Sequence, residues 1–508
     1  MITYHRLTVG GPALTGAQLQ AALEHVVESA LEGYVPRAYR DRKVIHDAVH
    51  GSNMYEPVEV ATIDLPLVQR LRRIRQLGMV LQVYPAGAHS RFDHSLGVCT
   101  LVGKLVDALL LRQDKSLFNE VDRLELRLAA LLHDIGHMPF SHISEEVLRA
   151  RVDFVQIRKD LGFERSAKEH EILGALMIRT KAFATRFIEP LKIIYPAAKD
   201  LDFQRIANYI VGTAPAEREY MARIISGVLD ADKMDYILRD CHMTGLKMSV
   251  DIDRILQTVR VVSHQGLTTL SIELTGVSTV EQLLFDKLLL NMAVYHHQKV
   301  RATECLIKGL YEAVAENGVR VGPFDIQANP VDLVRITDDD VLTLEHSSHP
   351  DVRRIARRLT RRELLMRCVV LGEKYYDEEQ TRKLGDGLGY SDFMGLGKDP
   401  LSQRQLREVL AKRVGVGVHE VWLDAPQPPP MTEAGNFVVF DARGPAMLLK
   451  DVFPVGGWLD SYNATKLRGY VFVPSEVATP ATFEIARAFL RDELGLVVGP
   501  NAAGFPLD

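Results

Sequence analysis

Residues 130–142 read Ala-Leu-Leu-His-Asp-Ile-Gly-His-Met-Pro-Phe-Ser-His. An apolar run leads into an adjacent His133-Asp134 pair, and two further imidazoles, His137 and His142, follow it. On a helix, His133 and His137 would lie one turn apart on the same side, with Asp134 about 100° around from His133. One turn can thus offer ring nitrogen and carboxylate oxygen to a single cation. Imidazole and carboxylate together suit iron, manganese or zinc, whereas calcium and magnesium normally take all-oxygen shells. A lone His-Asp dipeptide would equally serve as a surface or capping pair, so the partners elsewhere in the chain decide its meaning.

Those partners are present. Arg91-Phe92-Asp93-His94-Ser95-Leu96-Gly97 places an imidazole ahead of a helical apolar pattern (Leu96, Val98, Leu101, Val102, Leu105), and Leu229 to Tyr236 brings Asp230, Asp232 and Asp235. His94, His133, Asp134 and Asp232 make a four-ligand set that leaves positions open for water or substrate oxygen, as a catalytic rather than a structural ion requires. Lys168-Glu169-His170-Glu171 adds an imidazole beside two carboxylates, an acid/base reserve. The expectation is one divalent transition metal (Mn, Fe or Zn) at a phosphohydrolase site.

Seven motifs stand in one order: Lys43 to Gly51, Gln69 to Gly78, Arg91 to Gly97, Leu132 to His137, Asp230 to Tyr236, Arg239-Asp240-Cys241, and Val294-Tyr295-His296-His297. On them the chain resembles the HD-domain phosphohydrolases, and most closely the deoxynucleoside triphosphate triphosphohydrolases related to the animal enzyme that carries an extra SAM domain. The resemblance runs over roughly residues 41–370, and no SAM domain is expected in the stretch before it. It implies hydrolysis of deoxynucleoside triphosphates to deoxynucleoside and triphosphate, with Mg on the phosphates as a further expectation. By the same resemblance His94, His133, Asp134 and Asp232 hold the metal, and Arg91 and Lys233 meet phosphate oxygens. His142 lies near the scissile bond, while His137 and His170 are candidates for water activation or proton transfer. Gln76, Tyr236 and Asp240 touch the deoxyribose, Leu77 lies beneath it and Tyr295 closes against it. A rigid aromatic wall where a 2′-hydroxyl would sit excludes ribonucleotides.

The carry-over has departures. Asn291 stands where the animal enzyme has a His, and Lys287 where a phosphate-binding Arg is expected; lysine keeps the charge but loses the bidentate fork. Asp64, Gln69, Arg72, Arg254 and Arg362 match positions that hold an activating nucleotide. Against them, His46 replaces an Asn, Met366 a Lys, and Ser278 and Val280 an Arg/Lys pair. Each lost charge-assisted contact costs ~1.5–3 kcal/mol, so two would weaken an activator ~100-fold or more. The resemblance therefore implies a homo-oligomer, dimer or tetramer, less dependent on GTP than the animal enzyme. Two other readings use the same residues: a nuclease or phosphodiesterase acting on nucleic-acid ends, and a nucleotide-sensing assembly protein with incidental turnover.

Composition fits a globular protein: 508 residues, 47% hydrophobic, 25% charged, net charge −5. That charge exerts no global pull on nucleic acid or membrane, so a polyanion must be held by local cations. The run Asp351 to Arg362 carries arginines at i,i+4 in two rows, which reads as a solvated face, a nucleic-acid surface or a regulatory contact. Cys99, Cys241, Cys305 and Cys368 are scattered without a CxxC pair, and neither a signal region nor an uninterrupted run of eighteen apolar residues appears. We expect reduced thiols, no membrane span and a cytoplasmic location.

The fold class expected is mainly α, a helical HD-domain core with a small α+β C-terminal lobe. The expected divisions are 1–40 (a helical arm that packs on a partner subunit), 41–325 (the core), 326–412 (a helical extension with the basic helix) and 413–508 (the lobe). A helix over 15–32 capped by Thr15, a hairpin over 258–273, strands over 418–423, 436–440 and 470–474, a stiff break over 426–430 and a helix over 480–494 fill in the elements.

Overall fold

The computed structural model describes residues 13–506 except 114, 165, 249, 373–374, 378, 380–389, 396–399 and 428–431. It is mainly helical with small sheets, the expected fold class. Helices form where a cap and an apolar stripe coincide. Arg91–Arg112 opens on Ser90, whose side chain takes the Asp93 N–H while Asp93 reciprocates in a capping box. Glu120–Leu132 begins in the same way at Asn119 and Asp122 and ends on His133 as its C-cap. Ala231–Thr244 is capped by Asp230 and stopped by Gly245, whose φ of 75° fits the left-handed stop. Arg91–Arg112 is also long and apolar enough to cross a membrane by length and composition, but 72% of its most apolar window is buried inside the protein. It is a core helix.

The first helix, Gly16–Ala30, has its Thr15 cap as expected. Its apolar face, Leu19, Leu23, Val26 and Val27, is buried on its own chain, and Glu24 accepts the backbone N–H groups of Lys181 and Ala182. The apolar face expected to pack on a partner is therefore covered within one subunit.

The hairpin Val259–His264/Leu267–Glu273 turns through Gln265 and Gly266, both with positive φ. Its second strand pairs in parallel with Val438–Phe440, which pairs with Met447–Leu448. The expected third strand, Gly469–Val473, is the centre of a separate antiparallel sheet between Met366–Leu371 and Trp422–Asp424. The strand expected over 418–423 is thus shorter, since Val418–Glu420 forms a 3-10 turn, and the strand at 436–440 joins the hairpin instead of the lobe. Pro428 to Pro430 lie outside the described residues. Pro480–Leu494 is helical as expected and covers the lobe's own core of Val471, Val473, Phe483, Phe489 and Leu490.

The basic helix Pro350–Thr360 lies between the two regions. Arg358 reaches Glu420 and Glu476, Arg354 reaches Asp351 and Glu420, and Arg353 and Arg357 hold backbone carbonyls. Its arginines clamp the lobe to the core, which removes much of the row that a nucleic-acid surface would need.

Candidate active site

Three helices and one turn converge on the site. His94 sits in the first turn of Arg91–Arg112, His133 and Asp134 at the end of Glu120–Leu132, and Asp232 in the first turn of Ala231–Thr244. His94 Nε2 is 3.0 Å from Asp232 Oδ1 and 3.3 Å from His133 Nε2, which is 3.3 Å from Asp134 Oδ1. All four expected ligands thus come together, at roughly the spacing of neighbouring donors around an ion bonded at about 2.1 Å.

The hydrogen bonds behind the ligands show that an ion fits. His133 Nδ1 lies 2.7 Å from the Ala130 carbonyl, which can only accept, so that nitrogen carries the proton. His94 Nδ1 donates to Asp235 Oδ2 at 2.7 Å. With His94 neutral, two Nε2 lone pairs face one another beside two carboxylates, an arrangement that calls for a cation between them. The carboxylates are charged. Burial pushes Asp134 up, but Arg91, His133 and His137 hold it well below the usual range, and His94 and Lys168 do the same for Asp232. Burial lowers His94, yet Asp232 and Asp235 on its two nitrogens outweigh this and raise it to about 10. The cluster thus takes up a positive charge when no metal supplies one.

Beside this cluster lies an imidazole group organised by Glu145. Its Oε1 is 2.6 Å from His170 Nδ1, 3.2 Å from His142 Nδ1 and 3.8 Å from His137 Nδ1. Burial raises Glu145, and His142 and His170 bring it well below the normal range, so it is ionised. His137 stacks on His170 with ring centroids 3.7 Å apart, and burial, Arg91 and His170 hold it well below 6.5. It is a buried neutral ring with neither nitrogen hydrogen-bonded in the protein. His142 differs, its side chain being 62% exposed.

Local backbone makes this proximity possible. A Cβ on Gly136 would lie 2.1 Å from the His170 carbonyl oxygen and 2.6 Å from Gly174 N. Only glycine lets the Glu169–Ile178 helix approach so closely. Phe140 and Ser141 then adopt φ of 55°, an uncommon conformation for non-glycine residues. It is held by Phe140 N donating to Asp338 Oδ1 at 2.8 Å and by Ser141 Oγ, which takes Arg91 Nε at 2.8 Å and donates to the Arg75 carbonyl. The strained step aims His142 at the imidazole group.

The expected substrate residues are placed as follows. Arg91 is buried and binds Asp134 Oδ2 at 2.8 Å, so it braces a ligand. Lys233 Nζ is 2.6 Å from Asp230 Oδ2 and also donates to the Gly227 carbonyl. Lys287 is buried, and burial with the charges of Lys233 and Lys168 lowers it to about 8. Tyr295 donates to Asp240 Oδ2 at 2.5 Å, and His89 Nε2 lies 2.9 Å from Asp240 Oδ1. Burial and the Asp232 charge push the Tyr236 phenol up. Gln76 has a buried Oε1 without a partner, and Leu77 is half-buried against the core.

The regulatory candidates do not form one group. Gln69 binds Arg72 Nε, Arg72 stacks on Phe92 and Asp64 takes the Tyr39 hydroxyl. Arg254 holds the Thr275 carbonyl and Arg362 the Gln82 carbonyl. These four sets share no hydrogen bond or ion pair among the described residues. Sequence reasoning missed Glu145, the acceptor for His142 and His170, although His142-Ile143-Ser144-Glu145 places it one helical turn on. It also gave no role to Asp235, His50 and His89, whose partners are remote in sequence.

The "HD domain" family matches residues 91–240 and the "HD associated region" family matches 250–493. The chain is 28% identical over 385 residues to the deoxynucleoside triphosphate triphosphohydrolase SAMHD1 of Gallus gallus, covering 70% of this chain and 59% of that protein. It is 28% identical over 349 residues to that of Homo sapiens, covering 63% and 54%. An uncharacterised protein of Methanocaldococcus jannaschii is 30% identical over 267 residues, covering 52% and 48%. The chain spans about half to three-fifths of the length of these curated relatives.

Proposed function

We propose that this chain, which belongs to the HD-domain phosphohydrolases, hydrolyses deoxynucleoside triphosphates to deoxynucleoside and triphosphate. The observation that carries the reading is the juxtaposition of two groups: four ligands whose successive atoms, Asp232 to His94 to His133 to Asp134, are 3.0–3.3 Å apart, and a Glu145-held imidazole set abutting Asp134. In the reaction, a water oxygen bonds to the α-phosphorus, the bond from that phosphorus to O5′ breaks, and O5′ takes a proton. His94, His133, Asp134 and Asp232 would hold a divalent Mn, Fe or Zn ion, whose chemistry is to polarise a phosphoryl oxygen and ease deprotonation of water.

The protein's own groups divide the remaining work. His142, oriented by Glu145 and open to solvent, delivers the proton to O5′ and is reprotonated from bulk water. His170, with Nδ1 given to Glu145 and Nε2 3.9 Å from Asp134 Oδ1, positions the attacking water. His137, buried and neutral, offers a hydrogen bond to a phosphoryl oxygen and moves no net proton. Lys233 and Lys287 meet the phosphates, whose remaining charge a Mg ion would neutralise. Gln76, Leu77, Tyr236 and Asp240 cradle the sugar, and Tyr295, tethered to Asp240, stands against a 2′-hydroxyl.

A cytoplasmic homo-oligomer with weak dependence on GTP completes the proposal. Four free, buried cysteines support the reducing location. Divergent phosphate contacts around Asp64, Gln69, Arg72, Arg254 and Arg362 support the weak dependence. Chromatography after incubating the metal-loaded protein with each dNTP and each NTP tests the reaction, and light scattering with and without GTP tests assembly. Deoxynucleoside plus triphosphate supports it. Monophosphates released from oligonucleotides would favour a nuclease, and binding without product a sensor. Alanine at His133 or Asp134 should remove metal and turnover together while the helical core stays folded.

A further inference from the structure

Lys168 is the N-cap of Glu169–Ile178, the helix that carries His170. Its ammonium stands 3.9 Å from Asp232 Oδ2 and 3.6 Å from Glu171 Oε1. Both distances are too long for hydrogen bonds, and Nζ donates none to another described residue in the structure. The side chain is 45% exposed, so it can extend without leaving a buried charge behind. Lys233 is in the opposite condition, with Asp230 at 2.6 Å and the Gly227 carbonyl both on its ammonium. Arg91 is likewise occupied by Asp134 and Ser141.

Three ammonium groups gather here from three helices. The charges of Lys233 and Lys168 both depress Lys287, which places each of them in electrostatic reach of Lys287. Like charges converge at a cost of this kind where a polyanion is to be held between them. Lysine at 287 supplies a point charge rather than a fork, so a further cation restores capacity that the Lys287 position lacks.

Resting on the triphosphohydrolase reading, we infer that Lys168 is a polyphosphate-binding residue, meeting the phosphates next to the Asp232 ligand. It acts by direct charge-assisted hydrogen bonding, and its present carboxylate contacts yield to the ligand when Asp232 turns its charge to a metal. The chemical class recognised is a linear polyphosphate, free or as the tail of a nucleotide.

Isothermal calorimetry with inorganic tripolyphosphate on the metal-loaded full chain tests this without depending on turnover. Lys168→Gln should weaken tripolyphosphate about tenfold or more, and Lys168→Arg should recover most of the loss. Metal content should be the same in wild type and both variants. Unchanged affinity in Lys168→Gln overturns the inference, as does loss of metal in parallel with affinity, which would make Lys168 a support for Asp232. A Lys168-dependent tripolyphosphate site in a protein that releases no triphosphate from any dNTP would sink the proposed reaction and leave this inference standing. Triphosphate release together with Lys168-independent binding would do the reverse.

Discussion

Asp235→Asn perturbs the metal site without replacing a ligand. The Asp235 carboxylate is fully buried and accepts four hydrogen bonds: from His94 Nδ1 at 2.7 Å, His50 Nε2 at 2.6 Å, and Arg239 at 2.9 and 3.0 Å. Asparagine keeps one acceptor and turns an NH₂ toward Arg239, which can only donate, or toward imidazoles that would have to switch tautomer to accept it. If its oxygen stays on His94, the NH₂ confronts His50 and Arg239; if it turns, the His94 ring loses the partner that fixes its tautomer. Loss of such a partner behind a ligand lowers metal affinity ~10–100-fold. Stripping a buried guanidinium of its partner costs ~3–5 kcal/mol, but Arg239 keeps Asp47 at 2.9 Å, so about 1–3 kcal/mol is the expected destabilisation. Burial raises Asp235, while Arg239, His50 and His94 hold it well below the usual carboxylate range. Its stabilisation is thus complete above the unfolded value of about 3.9 and is lost as pH falls through the lower folded value. The Asp235→Asn substitution should flatten that acid limb. Mass spectrometry of bound metal after dialysis against a graded chelator, with urea melts from neutral to acid pH, measures both effects. Wild-type metal affinity in Asp235→Asn would refute the claim that this carboxylate sets the His94 tautomer.

Lys287, lowered to about 8 by burial, Lys233 and Lys168, should give a KM for dNTP that rises as pH climbs through that value. The same shift destabilises the fold at neutral pH and is relieved between about 8 and 10.4. Lys287→Arg should extend the low-KM plateau, and a wild-type KM that stays flat to strongly alkaline pH would contradict this. Tyr295→Phe removes the 2.5 Å hydrogen bond to Asp240 and should cost ~1–3 kcal/mol in thermal melts while narrowing dNTP-over-NTP preference. Equal wild-type rates on GTP and dGTP would show that no such gate operates. Gly136→Ala drives a Cβ into His170 and Gly174 backbone and should destabilise by at least ~1–3 kcal/mol with loss of turnover. An unchanged melting temperature would mean that the two segments can part without cost.

The helices and the four ligands were legible because their signals are local. Ser90, Asn119 and Asp230 cap the elements that carry His94, His133 and Asp232, and His133-Asp134 presents two ligands from adjacent residues. The partners behind them were not legible. Asp235 reaches His50 across most of the HD region and Asp240 reaches His89, and no periodicity encodes such pairings. Strand partners failed for the same reason. Val438–Phe440 has an ordinary β-branched pattern, but its parallel pairing with Leu267–Glu273 is decided by packing between distant segments. The basic helix was ambiguous because a row of arginines looks alike whether it meets water, a phosphate or Glu420 and Glu476.

The central claim is attack of water at the α-phosphorus, and the fate of the solvent oxygen tests it most directly. The metal-loaded protein is allowed to hydrolyse dGTP in oxygen-18 water, and the products are separated and weighed by mass spectrometry. The account predicts one heavy oxygen in the released triphosphate and none in deoxyguanosine. Heavy oxygen in inorganic phosphate or pyrophosphate beside a deoxynucleotide, or in the deoxynucleoside itself, would contradict it.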